Sequence, residues 1–211
     1  MSPAGFFAVI AMPLVGRALG RGTDARWLIA AGLLTMAAGS YWMSQMNLDI
    51  SPGQAVWPRV MLVVGLAMCF APANVAAYLY TPVALRGAAV GLLSLLRNEG
   101  GSTGASLAQT IQERRDQFHS LRLGEWLDPF NAAARSFLDQ ASVPFLRQTG
   151  DPVAAQQLAL QTLANLRGQQ AAALAYFDVF WLLAIVTGVL VFAVLLMKRS
   201  VAEKGTRIGS E

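Results

Sequence analysis

At 211 residues, 55% hydrophobic and only 13% charged, with a mean hydropathy of +0.46, the chain is too apolar and too unevenly patterned for an ordinary soluble domain. Its net charge of +4 is scattered between long apolar runs and not gathered on one amphipathic element, which argues against a nucleic-acid partner. With one cysteine, Cys69, and one histidine, His119, neither an intrachain disulfide nor a metal site is expected, and no cofactor either.

The pattern predicts an all-α, polytopic membrane helix bundle of about five spans, with a helical extracytoplasmic loop before the last one. The first span, about 3–19, is near the minimum length for crossing roughly 30 Å of hydrocarbon. No Lys or Arg precedes it while Arg17 and Arg21 follow, the reverse of a secretory signal, and its short lead suggests sequence missing upstream. The turn GRGTDAR, with Arg21, Asp24 and Arg26, is expected in the cytoplasm by the positive-inside rule.

The second span, about 27–46, carries Trp27 at one end and Tyr41 and Trp42 near the other, as a helix reaching two headgroup levels would. The stretch after it, with Asp49 and no Lys or Arg, reads as an outer loop. The third span, about 57–80, holds Pro72, where a kink is expected, with Asn74 close enough to line whatever the kink opens. The fourth, about 83–111, emerges outside.

From 112 to about 176 the chain turns polar, with six Arg set against six acidic residues, and is read as one large outer segment. Asp128–Pro129 and Asp151–Pro152 are expected helix starts there, each an N-cap carboxylate followed by proline. The last span, about 177–197, is followed at once by Lys198 and Arg199, which places the tail, 198–211, in the cytoplasm.

The fourth span holds the most unusual sequence, RNEGGSTG at 97–104, inside an apolar run. At 100° per residue, Gly87, Gly91, Ser94, Asn98, Gly101, Ala105 and Ala108 form a stripe of small side chains suited to close approach by another helix. A second stripe, roughly 120° away, holds Glu99, Ser102, Thr103, Ser106 and Thr110 and is expected to face a water-filled cavity or polar groups of a neighbour. Arg97 and Glu99 diverge at i, i+2, so each should find its partner elsewhere. Arg97, Asn98, Glu99, Ser102, Thr103 and Asn74 are the candidate substrate and proton pathway; Gly87, Gly91, Gly100, Gly101, Gly104 and Pro72 are candidate packing or hinge positions. The competing structural reading makes Arg97 and Glu99 members of a buried polar network that only fixes packing.

Four segments carry a family resemblance: PLVGRALGRGTDAR at Pro13 to Arg26, LLRNEGGSTGASLAQT at Leu95 to Thr110, RRDQFH at Arg114 to His119, and the long outer loop before the final span. Through them the chain resembles, over essentially its whole length, the C-terminal part of the fourteen-span drug:proton antiporters of the major facilitator superfamily, the EmrB/QacA type. Gly16, Arg17, Arg21, Asp24 and Arg26 are similar to a degenerate form of the superfamily's cytoplasmic loop motif. The resemblance implies a segment of a multidrug efflux transporter of the bacterial inner membrane. The whole protein would exchange protons for hydrophobic drug-like compounds by alternating access, with a periplasmic adaptor and an outer-membrane channel as possible partners. The five spans would match about the last five of fourteen, so the N-terminal half and its proton-coupling positions are missing and lend no roles here. Because alternating access places the site between two repeats, a fragment is expected.

Two rivals use other features. A membrane hydrolase built on Ser106 and His119 would need the two within hydrogen-bond reach, yet on a continuous helix they stand about 20 Å apart. A membrane-anchored subunit would bind a partner through 112–176, where Trp126, Phe130, Phe137 and Phe145 either offer a docking face or pack the outer helices together.

Overall fold

The computed structural model describes residues 4–47, 52–79, 81–128 and 130–196. Among them every regular element is helical: α1 (Ala4–Gly20), α2 (Ala25–Ser44), α3 (Pro52–Leu79), a single 3-10 turn (Val83–Leu85), α4 (Arg86–Glu125), α5 (Ala132–Thr149) and α6 (Pro152–Leu195). Among the described residues two helices are long enough and hold a window apolar enough to cross a membrane, Gly53–Ala76 within α3, and α6. The tail at 198–211 and Asp49, in the stretch expected to form the first outer loop, lie outside the described residues.

The helices are longer than the apolar runs. Residues 112–125 are rich in Gln, Glu, Arg and Leu and contain no Gly or Pro before Gly124, so nothing stops α4 where its composition turns polar. For the same reason α6 runs unbroken through the polar-to-apolar change near residue 176. α3 likewise continues through Pro58 and Pro72.

One compact unit comprises residues up to Ala105 together with those from Phe180 on; the other is Ser106–Val179. In the first, α3 packs on α1 and α2. A Cβ at Gly32 would fall 2.7 Å from the Gly65 carbonyl oxygen, and one at Gly65 would fall 2.6 Å from that of Gly32. Backbone therefore meets backbone where α2 and α3 cross, an approach that small residues permit and any side chain would block. Gly39 repeats the arrangement two turns along, with its absent Cβ 3.0 Å from Met61 Cβ and 3.1 Å from the Pro58 carbonyl oxygen. The Cys69 thiol donates to the Ile29 carbonyl across the same seam, at 3.6 Å. Val15, Leu19 and Ala25 form a small buried cluster against Leu28, Met68, Ala71 and Val75, which closes α1 onto α3.

In the second unit the caps explain the element boundaries. Asp151 accepts from the Val153 backbone N–H at 2.9 Å, so α6 starts at Pro152 with a carboxylate cap. The start expected at Asp128–Pro129 is displaced: α5 begins at Ala132, capped by Asn131, whose side chain accepts from the Ala133 N–H at 2.9 Å. Asp128 instead accepts from the Phe130 N–H at 3.0 Å and shapes the turn before it; Asn131 also donates to the Trp126 carbonyl at 2.8 Å, and this second tie decides which residue caps. α5 ends at Gly150, whose φ of 67° is the left-handed conformation that glycine adopts without strain. Ala155, Ala159, Ala171, Ala175 and Val179 give α6 a buried row spaced in multiples of four.

Candidate functional site

Arg97 and Asn74 are the two sequence-selected polar residues that the structure brings together. An Arg97 Nη2–H donates to Asn74 Oδ1 at 3.1 Å, joining α4 to α3. The guanidinium also lies over the Phe70 ring, 4.3 Å from its centroid. Phe70 and Asn74 are one turn apart on α3 and flank the buried Pro72, so one face of α3 supplies both an aromatic platform and an amide acceptor. Phe70 gave no signal in the sequence, because one aromatic in an apolar run looks like packing until its partner is known.

The other pathway candidates stay apart from this contact. Arg97 and Glu99 do not pair, and among the described residues no ion pair includes either. The Ser102 hydroxyl donates back to the Glu99 carbonyl at 3.1 Å and that of Thr110 to the Ser106 carbonyl at 2.9 Å, so these hydroxyls are satisfied on their own helix. Asn98, Glu99, Ser102 and Thr103 are exposed. That disagrees with a buried Arg97–Glu99 network within this chain.

The small-residue stripe of α4 is not filled either. A Cβ at Gly87, Gly91, Gly100, Gly101 or Gly104 would meet nothing within 4 Å, and none of the described α4 residues is buried. The close glycine contacts are at Gly32, Gly39 and Gly65, which sequence reasoning passed over.

At the loop after α1, Asp24 caps α2 by accepting from the Arg26 N–H at 3.2 Å, and its other oxygen takes Arg26 Nε and Nη2 at 3.2 and 3.1 Å. Asp24 is buried and Gly22 supplies a φ of 86°, so the turn is fixed by a charged fork and a left-handed glycine. Gly16, Arg17 and Arg21 stand exposed around it.

The segment RRDQFH forms a separate cluster: His119 Nε2 lies 2.7 Å and Arg115 Nε 3.5 Å from Asp178 Oδ2 of α6. The imidazole is thus engaged with a carboxylate and lies far along α4 from Ser106, about 20 Å at 1.5 Å per residue, so the two do not form a nucleophile–base pair. Of the four aromatics singled out in 112–176, Phe137 and Phe145 are half-buried on α5, whereas Trp126 and Phe130 are 70% and 83% exposed.

No protein-family model matches the chain, and no solved structure does. It is 34% identical over 131 residues, 62% of its length, to the fatty acid resistance protein FarB of Neisseria gonorrhoeae, covering 26% of that protein. It is 28% identical to the multidrug export protein EmrB of Haemophilus influenzae over 66% of this chain and 27% of the relative. To the colistin resistance protein EmrB of Acinetobacter baumannii it is 24% identical, over 83% of this chain and 34% of the relative. The similarity is to bacterial export and resistance proteins. The chain spans about a quarter to a third of the length of these relatives.

Proposed function

We propose that the chain is the C-terminal segment of a multidrug efflux secondary transporter of the major facilitator superfamily. The observation that carries this reading is the Arg97–Asn74 contact: a charge and an amide, each set within an apolar run, hydrogen-bonded from α4 to α3 in a chain similar to multidrug export proteins. Ionisable groups within membrane-spanning segments are expensive and mark pathways more often than scaffolding. α1, α2, α3, the first part of α4 and the last part of α6 are the five spans of a bacterial inner-membrane protein, with the α1–α2 turn and the C-terminus cytoplasmic and residues 112–176 outside.

In the complete protein, alternating access brings this segment against a missing N-terminal half, and the open glycine face of α4 is where that half packs. Glu99, exposed and unpaired among the described residues, is the proton-coupling carboxylate; Asn98, Ser102 and Thr103 line its path. Hydrophobic drug-like compounds are the substrates. Exposed Trp126 and Phe130 favour the outer segment as the docking point for a periplasmic adaptor leading to an outer-membrane channel.

In-frame coding sequence upstream of Met1 for about nine further spans is expected. The protein it encodes, expressed in bacteria stripped of their own pumps, should lower accumulation of a lipophilic dye, and collapsing the proton gradient should restore it. Glu99→Gln should remove the gradient dependence. Accumulation that is unaltered by expression rules out the transport reading, and unchanged export by Glu99→Gln at normal expression rules out its proton-coupling role.

A further inference from the structure

We propose that the groove between α2 and α3 at Trp42 and Trp57 holds a zwitterionic phospholipid, its headgroup at the ends of the two helices and one acyl chain laid toward their middle. The site rests on the reading above only in that α2 and α3 cross the bilayer, and is independent of what the protein exports.

Two cavities meet here and share Trp42 and Trp57 as walls. The one at the helix ends, about 330 Å³, is lined also by Gln45, Asn47 and Gln54. The other, about 280 Å³, follows the seam between the helices and is lined also by Thr35, Val60, Met61 and Val64. The Thr35 hydroxyl donates to the Ala31 carbonyl at 2.8 Å, so its proton is spent on its own helix and this part of the groove is apolar. The floor is closed: Gly39, Met43 and Pro58 are buried, and the Gly39 backbone lies so near that a Cβ there would fall 3.1 Å from the Pro58 carbonyl oxygen. The walls stand above it, Trp42 and Trp57 being 49% and 58% exposed, and Phe7 of α1 braces Trp57 with ring centroids 6.3 Å apart.

An amide-lined mouth joined to an apolar trough has the polarity of an amphiphile. From Trp42 to Thr35 the trough runs about 10 Å along α2 at 1.5 Å per residue, and paired indoles at helix ends mark the headgroup level. The charge of the head follows from the lining. No Lys, Arg, Asp or Glu lines either cavity, whereas anionic headgroups are held by clustered cations. Arg59, two positions after Trp57, projects roughly 200° away around α3. Carboxamides offer N–H groups to phosphate and ester oxygens and a carbonyl to an ammonium, and indole faces attract the same ammonium. The indole N–H groups of Trp42 and Trp57 have no acceptor among the described residues and add two donors for the phosphate.

The test uses the 211-residue chain in nanodiscs of mixed zwitterionic and anionic lipid, with two phospholipid probes that carry the same photoreactive acyl chain and end in phosphoethanolamine or phosphoglycerol. Adducts are mapped by mass spectrometry, and the exposed Val189 and Phe192 of α6 report ordinary lipid contact. The ethanolamine probe should label the groove about tenfold more than the glycerol probe, relative to their ratio on α6. The Trp42→Ala, Trp57→Ala double variant should bring the groove to the α6 ratio. Gln45→Lys should turn the preference toward the glycerol probe; Gln45 is exposed at the C-terminal end of α2, where a cation suits the helix dipole, so this variant decides the question should the double variant not fold by circular dichroism. A groove ratio equal to that on α6, or one unmoved by Gln45→Lys, overturns the proposal. Labelling of α6 without labelling of the groove also overturns it, because protein then fills the space. In each of these results the chain is in the bilayer, so the membrane reading survives; a chain that does not enter the nanodisc overturns both.

Discussion

Asp178 Oδ2 lies 2.7 Å from His119 Nε2, and the same oxygen is 3.5 Å from Arg115 Nε one turn back along α4. One carboxylate, set between Phe177 and Val179 on α6, thus ties down two residues of the RRDQFH segment. Asp178 is 35% and His119 19% exposed in the side chain, so the contact is partly screened and worth about 1 kcal/mol. Asp178→Asn should quicken amide hydrogen exchange in the later part of α4 about fivefold. Because both variants remove the same interaction, the His119→Ala, Asp178→Asn double variant should exchange little faster than either single one. Additive effects would show that the two residues act separately.

The glycines divide into two sets with opposite predicted outcomes. Gly65→Ala puts a methyl 2.6 Å from a backbone oxygen that cannot rotate away, so α2 and α3 must separate, at about 1–3 kcal/mol. Gly91→Ala and Gly101→Ala add a methyl to open space in a helix interior, where alanine is favoured by about 0.5–1 kcal/mol. Thermal unfolding of the purified chain in detergent, followed by helical ellipticity, should therefore fall for the first and hold or rise for the other two. If the chain is part of a longer exporter, as proposed, and that face of α4 packs on the rest of it, Gly101→Ala should impair export.

The turn at Asp24 makes a narrower prediction. Its carboxylate does two jobs, capping α2 and gripping Arg26. Asp24→Asn keeps an oxygen for the cap and loses the ion pair; Asp24→Ala loses both. The alanine variant should cost about 0.5–2 kcal/mol, and the asparagine variant distinctly less. Equal losses in denaturant unfolding would mean that the ion pair, not the cap, holds the turn.

These contrasts show what the sequence could and could not tell. Helical character, the apolar stretches in α3 and α6 and the Asp151–Pro152 start are local properties, and local rules found them. The ends of α4 and α6 were harder, because polar composition signals water and not the end of a helix, and Gln-, Arg- and Leu-rich turns propagate readily. The α4 stripe stood out by periodicity while Gly32 and Gly65 did not, since a glycine contact between two helices is a property of the pair. Arg97 was conspicuous as a charge in an apolar run; its platform, Phe70, and the acid facing His119, 59 positions away, had no signature of their own.

Asn74→Asp separates a structural Arg97 from a functional one. The substitution is nearly isosteric and places a carboxylate where Asn74 Oδ1 now accepts from Arg97 at 3.1 Å. The α3–α4 contact then becomes an ion pair, and the chain should unfold no earlier than the wild type, gaining up to about 1 kcal/mol. If Arg97 only fastens two helices, nothing else should change. If Arg97 lines a transport path, the new carboxylate cancels its charge there, and export by the longer protein of the proposed reading should fall although the fold is no weaker. A variant as stable as the wild type yet deficient in export is an outcome that packing alone cannot produce.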